Sequence, residues 1–329
     1  MVSGGHDQGR LHAARMQAAR GLTLDRALGQ VVDAFAAGGI GPLLIKGPAF
    51  ARWLYADEHE RPYRDIDLLV APERFEAARR CLVELGFEQP LAGSHLYESS
   101  EHHEVWVRSG RPAVVVELHH TLFLLPAPPA LVWRHLSEGA RPIEVAGTRV
   151  DTPGVAASAL IVGLHAAHHG SGFGKPIQDL ERALERVDFE TWRAAAALAH
   201  ELGAAAELAV GLCLAPGGVD LVERLGLSPR AASRSVRLKA GTPPDTALGI
   251  ERLLTTRGVR ARLVLLAHEL VPSRAFMRVC YPLARRGRLG LICAYAQRPW
   301  RLAVLLPRGA RAWLIAARAP AESSPPRGS

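Results

Sequence analysis

The chain has 329 residues, of which 48% are apolar, 22% charged and 6% aromatic, and its formal net charge is +8 at pH 7. This composition excludes collagen-like, wholly disordered and disulfide-scaffold proteins. The length favours two domains, and the four cysteines contain no Cys-x-x-Cys pair of the kind found in zinc ribbons.

The sequence predicts neither a signal peptide nor a membrane span. Its N-terminal residues are polar and include no apolar h-region. The longest uncharged run near the C-terminus, residues 289–297, is about half of the roughly 20 residues that cross a bilayer. Together with the widely separated cysteines, this predicts a cytoplasmic protein without a transmembrane helix.

Helical and strand patterns alternate in the first half of the chain. Apolar residues from 22 to 37 recur with helical spacing, and Gly38-Gly39 ends that helix. The elements predicted after it are a strand at 42–45, a second helix from Pro48, a polar loop at 57–64, a strand at 65–70 and a helix at 72–86. Strands at 103–108 and 112–120 are expected to form a hairpin around Ser109-Gly110, and a strand at 150–153 closes this half of the chain.

Beyond residue 150 the pattern changes to Ala- and Leu-rich helices. They are predicted at 154–169, 177–187, 190–206, 207–215, 247–269 and 288–318. We therefore expect an α/β domain at 22–150, an α-helical substrate or partner domain at 151–320 and a disordered tail at 321–329. The predicted fold class is α+β, a small mixed-sheet domain followed by an α-helical one, with the active site between them.

Two carboxylates stand at the start of the strand at 65–70. Residues two apart in a strand point to the same side, so Asp65 and Asp67 project together. Such a pair repels unless a cation separates it, and Mg²⁺ prefers oxygen ligands. Glu117 lies in an otherwise apolar strand, where a charge is costly unless it is paired or bound to a metal. If the two strands are neighbours, the three acids form a cluster able to hold one or two divalent ions against a triphosphate.

Phosphate-facing groups are predicted on either side of these acids. Lys46-Gly47, at a strand-to-helix turn, supplies backbone N–H groups and an ammonium. His119 shares a strand face with Glu117 and is expected near the metals. Residues 170–175 lack a phosphate-loop ending because Pro176 follows Lys175, and we interpret them as an interhelical loop whose Lys175 reaches the nucleotide.

Two further features leave their role open. His165, His168 and His169, with Asp179, favour a metal site, a substrate-facing role or ordinary hydrogen bonding between domains. Residues 252–329 contain 15 Arg and two acids, a net charge of +13 that leaves −5 for the rest of the chain. That asymmetry favours contact with a polyanion or a membrane surface, and a solvated basic face is the alternative.

Several segments together resemble the uncharacterised nucleotidyltransferase family of the DNA polymerase beta-type nucleotidyltransferase superfamily. The core of the resemblance is LLIKGPAF at 43–50, Leu54-Tyr55 and RPYRDIDLLV at 61–70. The strand that ends in Glu117-Leu118-His119 is similar to the third-acid segment of the family. Residues 164–170 with Asp179, and residues 272–282, are similar to its helical and C-terminal motifs. The DIDLLV sequence is the most specific part.

The resemblance implies a metal-dependent transfer of a nucleoside monophosphate from an NTP to a hydroxyl-bearing acceptor, with release of pyrophosphate. It implies that Asp65 and Asp67 bind two Mg²⁺ ions. Glu117 would complete the second metal site and help to deprotonate the acceptor.

The triphosphate site departs from the superfamily pattern. A Gly-Ser pair usually stands where this chain has Gly47-Pro48. Gly47 would still allow close approach of the triphosphate, and Lys46 would neutralise its charge. Proline offers neither a hydroxyl nor an N–H group to the triphosphate. We therefore expect part of the triphosphate contacts to come from Lys46, Arg61 or Arg64.

The acceptor stays open at this point: a small molecule, a peptide or protein, or an RNA end. One alternative function is a toxin-like transferase that acts on tRNA or protein. Another is a non-catalytic scaffold of the same fold that docks on a polyanion or a membrane surface. The intact Asp65, Asp67 and Glu117 argue against the scaffold.

Overall fold

A computed structural model describes residues 4–90 and 100–318, with side chains from residue 16 onward. The predicted tail at 321–329 lies outside these residues. The chain divides into two compact units, and their described parts are residues 4–90, 100–162 and 181–203 for the first and residues 163–180 and 204–318 for the second. The domain division proposed near residue 150 stays a prediction.

The first unit contains one mixed sheet, which has six strands within the described residues. In chain order these are β1 Leu43–Leu44, β2 Ile66–Leu69, β3 His103–Arg108, β4 Val114–His119, β5 Arg141–Val145 and β6 Thr148–Thr152. Their order across the sheet is β3-β4-β2-β1-β6-β5. The pairs β2/β4 and β1/β6 are parallel, and the other neighbours are antiparallel. The predicted mixed sheet and its β3-β4 hairpin are confirmed.

Helices account for most of the remaining chain. They are α1 Gly4–Ala37, α2 Pro48–Leu54, α3 Phe75–Glu84, α4 Pro129–Ser137, α5 Val155–His169, α6 Gly174–Arg186, α7 Phe189–Glu201, α8 Ala205–Leu212, α9 Gly218–Arg224, α10 Arg234–Ala240, α11 Asp245–Thr255, α12 Val259–Leu270, α13 Arg274–Cys280 and α14 Gly287–Ala317. The α+β fold class is therefore confirmed. Among these helices, none combines the length and the apolar composition needed to span a bilayer.

The core of the first unit is formed by the apolar stripe of α1 and the inner face of the sheet. Leu24, Leu28, Val31 and Phe35 are at most 1% exposed. They belong to the same buried cluster as the apolar residues of β2 and β4. Their spacing is the helical period that predicted this element. The helix starts earlier than expected, at Gly4, because residues 11–20 are rich in Ala, Arg and Gln, which favour helix.

Two further differences from the sequence prediction have local causes. The helix expected over 247–269 is interrupted between α11 and α12, where Gly258 adopts a φ of 88° that no continuous helix allows. Strand β5 was not predicted because its second residue is Pro142, which cannot donate to a ladder. At the edge of the sheet a proline is tolerated, since no further strand needs its N–H.

Replacing Leu28 by Ala should test the packing of α1 on the sheet. We expect Leu28→Ala to lower the free energy of unfolding by about 2–5 kcal/mol, because it removes a fully buried side chain and leaves a cavity. Leu22→Ala on the same helix is the control, since Leu22 is 71% exposed. Equal urea midpoints for the two variants would contradict this account of the core.

Candidate active site

Charged and polar side chains from four neighbouring strands meet at one place on the sheet. Lys46 stands two residues after β1, Asp67 lies in β2, Glu117 and His119 lie in β4, and His103 begins β3. The parallel register of β2 and β4 sets Asp67 opposite Glu117. The antiparallel register of β3 and β4 sets His103 opposite His119. Backbone pairing alone therefore brings these residues together.

Lys46 is the cation of this cluster. Its Nζ lies 2.5 Å from Asp67 Oδ1 and 3.9 Å from Glu117 Oε2. The Asp67 side chain is 3% exposed and that of Lys46 12%, so the closer pair is shielded from water. Glu117, with 23% of its side chain exposed, is the most open member of the three.

The charges in the cluster hold one another in their ionised forms. Burial alone would raise the pKa of Asp67, but Lys46 and His119 hold it well below its usual range. Burial would likewise lower the pKa of Lys46, yet Asp67, Glu117 and Asp65 together raise it. All three acids predicted from the sequence thus act on the same ammonium. Asp65 itself is partly exposed and directly precedes β2.

Two histidines complete the cluster. His119 Nε2 lies 3.4 Å from Asp67 Oδ1 and 3.5 Å from Glu117 Oε2. Burial by itself would lower the pKa of His119, but the two carboxylates raise it. His103 Nε2 is 3.9 Å from Glu117 Oε2, and burial together with the His119 charge lowers the pKa of His103 to about 4. At neutral pH the His103 imidazole is therefore uncharged, in contrast to His119, whose pKa is raised.

The turn between β1 and α2 requires a glycine. Gly47 has φ 57° and ψ −118°, a conformation strained for any residue with a side chain. Arg61 is 4% exposed, and its Nη1 donates a hydrogen bond of 3.0 Å to the Gly47 carbonyl. The Arg61 guanidinium also stacks over the Phe50 ring, 5.2 Å from its centroid. Arg61 therefore packs beneath the turn, whereas Arg64 is exposed.

A second anchor fixes the loop that precedes β2. The Tyr63 hydroxyl donates a hydrogen bond to Asp25 Oδ1 on α1. Burial, followed by that hydrogen bond, raises the pKa of Tyr63 above its usual range, so the phenol keeps its proton. The loop carrying Arg61 and Arg64 is thereby tied to the core helix.

Other predicted site residues lie in the second unit. Lys175 is an exposed residue in the first turn of α6. The expected interhelical loop at 170–175 thus ends two residues earlier, at Phe173, and the nucleotide contact of Lys175 stays a prediction. At the end of α5, the His169 ring meets those of His165 and His168 edge-on, with ring centroids 4.6 Å and 5.1 Å apart.

His103 was not predicted as a site residue, although the sequence holds a signal for it. In an antiparallel hairpin, the residue opposite a site residue lies on the same face. The predicted strands at 103–108 and 112–120 contain the histidine pair, but the turn was placed at Ser109-Gly110. The observed pairing is instead symmetrical about Arg111, which sets His103 against His119.

Removing either member of the Lys46–Asp67 pair should destabilise the fold. We expect Lys46→Met and Asp67→Asn each to lower the free energy of unfolding by about 3 kcal/mol, since each leaves the other charge buried without its closest partner. The double variant should lose less than the sum of the single losses. Urea unfolding of the four proteins measures this coupling, and strictly additive losses would contradict it.

The coupling should also depend on pH. A carboxyl with a depressed pKa contributes its stability above the pKa of the unfolded chain, about 3.9 for Asp, and loses it as pH falls through the folded value. The stability difference between wild type and Lys46→Met should therefore be complete at neutral pH and shrink below about pH 4. The same urea experiment at acidic pH checks this, and a difference that grows on acidification would contradict it.

Comparison with known proteins assigns the chain to a family. Residues 10–217, more than half of the chain, match the family described as uncharacterised nucleotidyltransferase. The chain belongs to that family and is a nucleotidyltransferase. No match is found among the curated proteins.

Two solved structures are similar to this chain. One is the antibiotic-resistance factor ANT(2'')-Ia, with 16% identity, a TM-score of 0.42, and coverage of 56% of this chain and 95% of that one. The other is an antigenic nucleotidyltransferase-like protein from Paracoccidioides brasiliensis, with 16% identity, a TM-score of 0.34, and coverage of 65% of this chain and 93% of that one.

Proposed function

We propose that this member of the uncharacterised nucleotidyltransferase family moves a nucleoside monophosphate from an NTP to a hydroxyl-bearing acceptor and releases pyrophosphate. In this proposal Asp65, Asp67 and Glu117 hold divalent metal ions, with two Mg²⁺ ions as the sequence-based expectation. The observation that carries the proposal is the register of β2 and β4, which sets Asp67 against Glu117 with the Lys46 ammonium beside both.

The residues of the cluster fit divalent ions. Three carboxylates act on the single ammonium of Lys46, so their combined negative charge is larger than the positive charge of that lysine. Hard oxygen ligands of this kind suit Mg²⁺ and Mn²⁺. Divalent ions bound there would neutralise the triphosphate and polarise the α-phosphorus.

The chain's own residues have distinct tasks in the transfer. Glu117, the more open of the two paired carboxylates, accepts the proton of the acceptor hydroxyl. The acceptor oxygen then bonds to the α-phosphorus. The bond between that phosphorus and the oxygen that bridges the α- and β-phosphates breaks, and pyrophosphate leaves with the electron pair. Lys46 places its positive charge beside the phosphates. Catalysis is in this way mostly positioning and charge stabilisation.

The remaining residues support the substrate. Gly47 lets the backbone approach the triphosphate, and Arg61 holds that turn in place through the Gly47 carbonyl. Arg64, exposed on the same loop, offers a guanidinium to the phosphates. His119 contacts both Asp67 and Glu117 and so keeps the two carboxylates in position.

Binding of NTP can be tested without knowing the acceptor. We expect at least one NTP, with Mg²⁺ or Mn²⁺, to raise the melting temperature of the wild-type protein. An NTP at a concentration a hundred times its dissociation constant should stabilise the fold by roughly 2.7 kcal/mol. Asp67→Asn and Glu117→Gln should lose this ligand-induced shift. Asp151→Asn is the matched control, because Asp151 is exposed on β6 of the same sheet.

The shift with ligand, rather than the melting temperature itself, is the quantity to compare, since Asp67→Asn also destabilises the free protein. No shift of wild type with any NTP would contradict the proposal and is the result expected of a non-catalytic scaffold. An equal shift in wild type and both site variants would place nucleotide binding elsewhere.

A further inference from the structure

We infer that His103, Glu117 and His119 form a binding site for a transition-metal ion such as Mn²⁺, Co²⁺ or Zn²⁺, in preference to Mg²⁺. One ligand atom from each of the three residues lies within 4.8 Å of the other two. Glu117 Oε2 is 3.5 Å from His119 Nε2 and 3.9 Å from His103 Nε2. These separations are close to those between ligands that share one metal ion, given metal–ligand distances of about 2.0–2.2 Å.

The state of His119 is an independent sign of a missing ligand. The side chain is 1% exposed, and neither ring nitrogen has a hydrogen-bond partner among the residues that the structure describes. Its contacts with Asp67 and Glu117, at 3.4 and 3.5 Å, are longer than an ordinary N–H···O hydrogen bond. A buried imidazole whose ring nitrogens make only these long contacts is costly, so the arrangement favours a bound group that accepts a nitrogen lone pair.

The hairpin places all three ligands by backbone geometry alone. His103 is paired directly with His119 across β3 and β4, and Glu117 stands two residues before His119 on the same face. The imidazole rings of the two histidines lie 4.9 Å apart between centroids. The strand register thus sets the three residues beside one another before any ion binds, which lowers the cost of assembling the site.

The donor types decide which ion is preferred. Imidazole nitrogen suits Mn²⁺, Co²⁺ and Zn²⁺ better than it suits Mg²⁺, which takes oxygen ligands almost exclusively. Two histidines and one carboxylate leave coordination positions open for water or substrate oxygen. The inference deepens the proposed function, because Glu117 takes part in both, but it is tested without nucleotide or acceptor, so each can fail alone.

The test is calorimetric titration of the metal-free full chain with Mn²⁺, Co²⁺, Zn²⁺ and Mg²⁺ separately. We expect at least one transition-metal ion to bind with a dissociation constant at least about tenfold below that of Mg²⁺. His103→Gln should weaken that binding by at least about tenfold. His103 is the variant of choice because it lies on an edge strand with 19% of its side chain exposed, so the fold should tolerate the change.

His120→Gln is the matched control. His120 directly follows His119, but its ring packs edge-on against Phe75, with centroids 5.1 Å apart. This variant should bind the ions like wild type, and circular dichroism should show both variants folded. Visible absorption of bound Co²⁺ should change in His103→Gln and not in His120→Gln.

Three results would overturn the inference. Wild type could bind none of the transition metals, as expected if His119 is an imidazolium paired with the two carboxylates. Mg²⁺ could bind as tightly as the others, or His103→Gln could bind them as tightly as wild type. None of these results depends on whether NTP binds.

A separate observation concerns two helices of the second unit. Within the described residues, α12 has no buried side chain. Val259, Leu263, Leu266 and Leu270 follow one face of it at helical spacing and are 39–74% exposed. Among the described residues, this apolar face of α12 is exposed to solvent.

Helix α14 repeats the pattern over a greater length. Leu289, Ile292, Trp300 and Val304 share one face and are 56–79% exposed. Exposed apolar surface of this extent marks an interaction site rather than ordinary surface. The surrounding sequence is strongly basic, since residues 252–329 carry a net charge of +13.

We propose that these faces of α12 and α14 dock on the surface of an anionic lipid membrane. A helix with an apolar face and basic flanks lies in the plane of the lipid–water interface, where apolar side chains enter the acyl boundary and arginines contact lipid phosphates. Nucleic acid is the less suitable partner, because phosphate contacts give no reason to expose large apolar side chains.

Sedimentation with lipid vesicles tests the docking surface. We expect the full chain to bind vesicles that contain phosphatidylglycerol, to bind phosphatidylcholine vesicles weakly, and to be released by high salt. Leu263→Glu with Ile292→Glu should weaken binding by at least about tenfold, because two apolar anchors become charged. Val219→Glu is the control for a single added carboxylate, at a residue that is 51% exposed on α9 of the same unit, and is compared with Leu263→Glu alone.

The proposal would be overturned if the double variant bound vesicles as tightly as wild type. It would also be overturned if the chain bound phosphatidylcholine vesicles as tightly as vesicles that contain phosphatidylglycerol. It would also be overturned if single-stranded RNA bound the chain while anionic vesicles did not. Self-association of the chain that the double variant abolishes, without vesicle binding, would assign the face to a second copy instead.

Discussion

The buried pairing of Lys46 with Asp67 is the interaction on which the rest of the site depends. Moving an ammonium and a carboxylate out of water is costly, and the cost is recovered only when the two groups lie close together and have further partners. Here Glu117 and His119 supply those partners from the next strand. The strand pairing must therefore hold Asp67, Glu117 and His119 in register, while Lys46 reaches them from the turn that directly follows β1.

The surroundings of the pair explain several features that have no direct part in chemistry. Strand β1 is only two residues long, yet it places Lys46 beside β2 and lets the chain turn at Gly47. Arg61 occupies the space beneath that turn, and Tyr63 ties the following loop to α1. Arg61, which the sequence predicts as a phosphate contact, thus also supports the backbone at Gly47.

The cluster holds two overlapping sets of metal-binding groups. Asp65, Asp67 and Glu117 offer hard oxygen atoms, whereas His103 and His119 add imidazole nitrogen beside Glu117. Glu117 belongs to both sets because β4 lies between β2 and β3. The choice of metal would thus be decided at one residue, which is also the proposed proton acceptor.

The sequence by itself determined the helices and strands whose apolar periodicity is strong, such as α1, α3, β2, β4 and α14. It also indicated Lys46 from its place at a strand-to-helix turn and Asp67 from its spacing to Asp65. Glu117 stood out as a charge in an apolar strand, and His119 as the residue that shares its face. It missed β5, where Pro142 hides an edge strand, and His103, whose partner depends on a hairpin register that a one-residue shift of the turn would change. Only the tertiary structure decided which strands are neighbours, and so which charges meet. Strand order depends on packing between distant segments, which local periodicity does not encode.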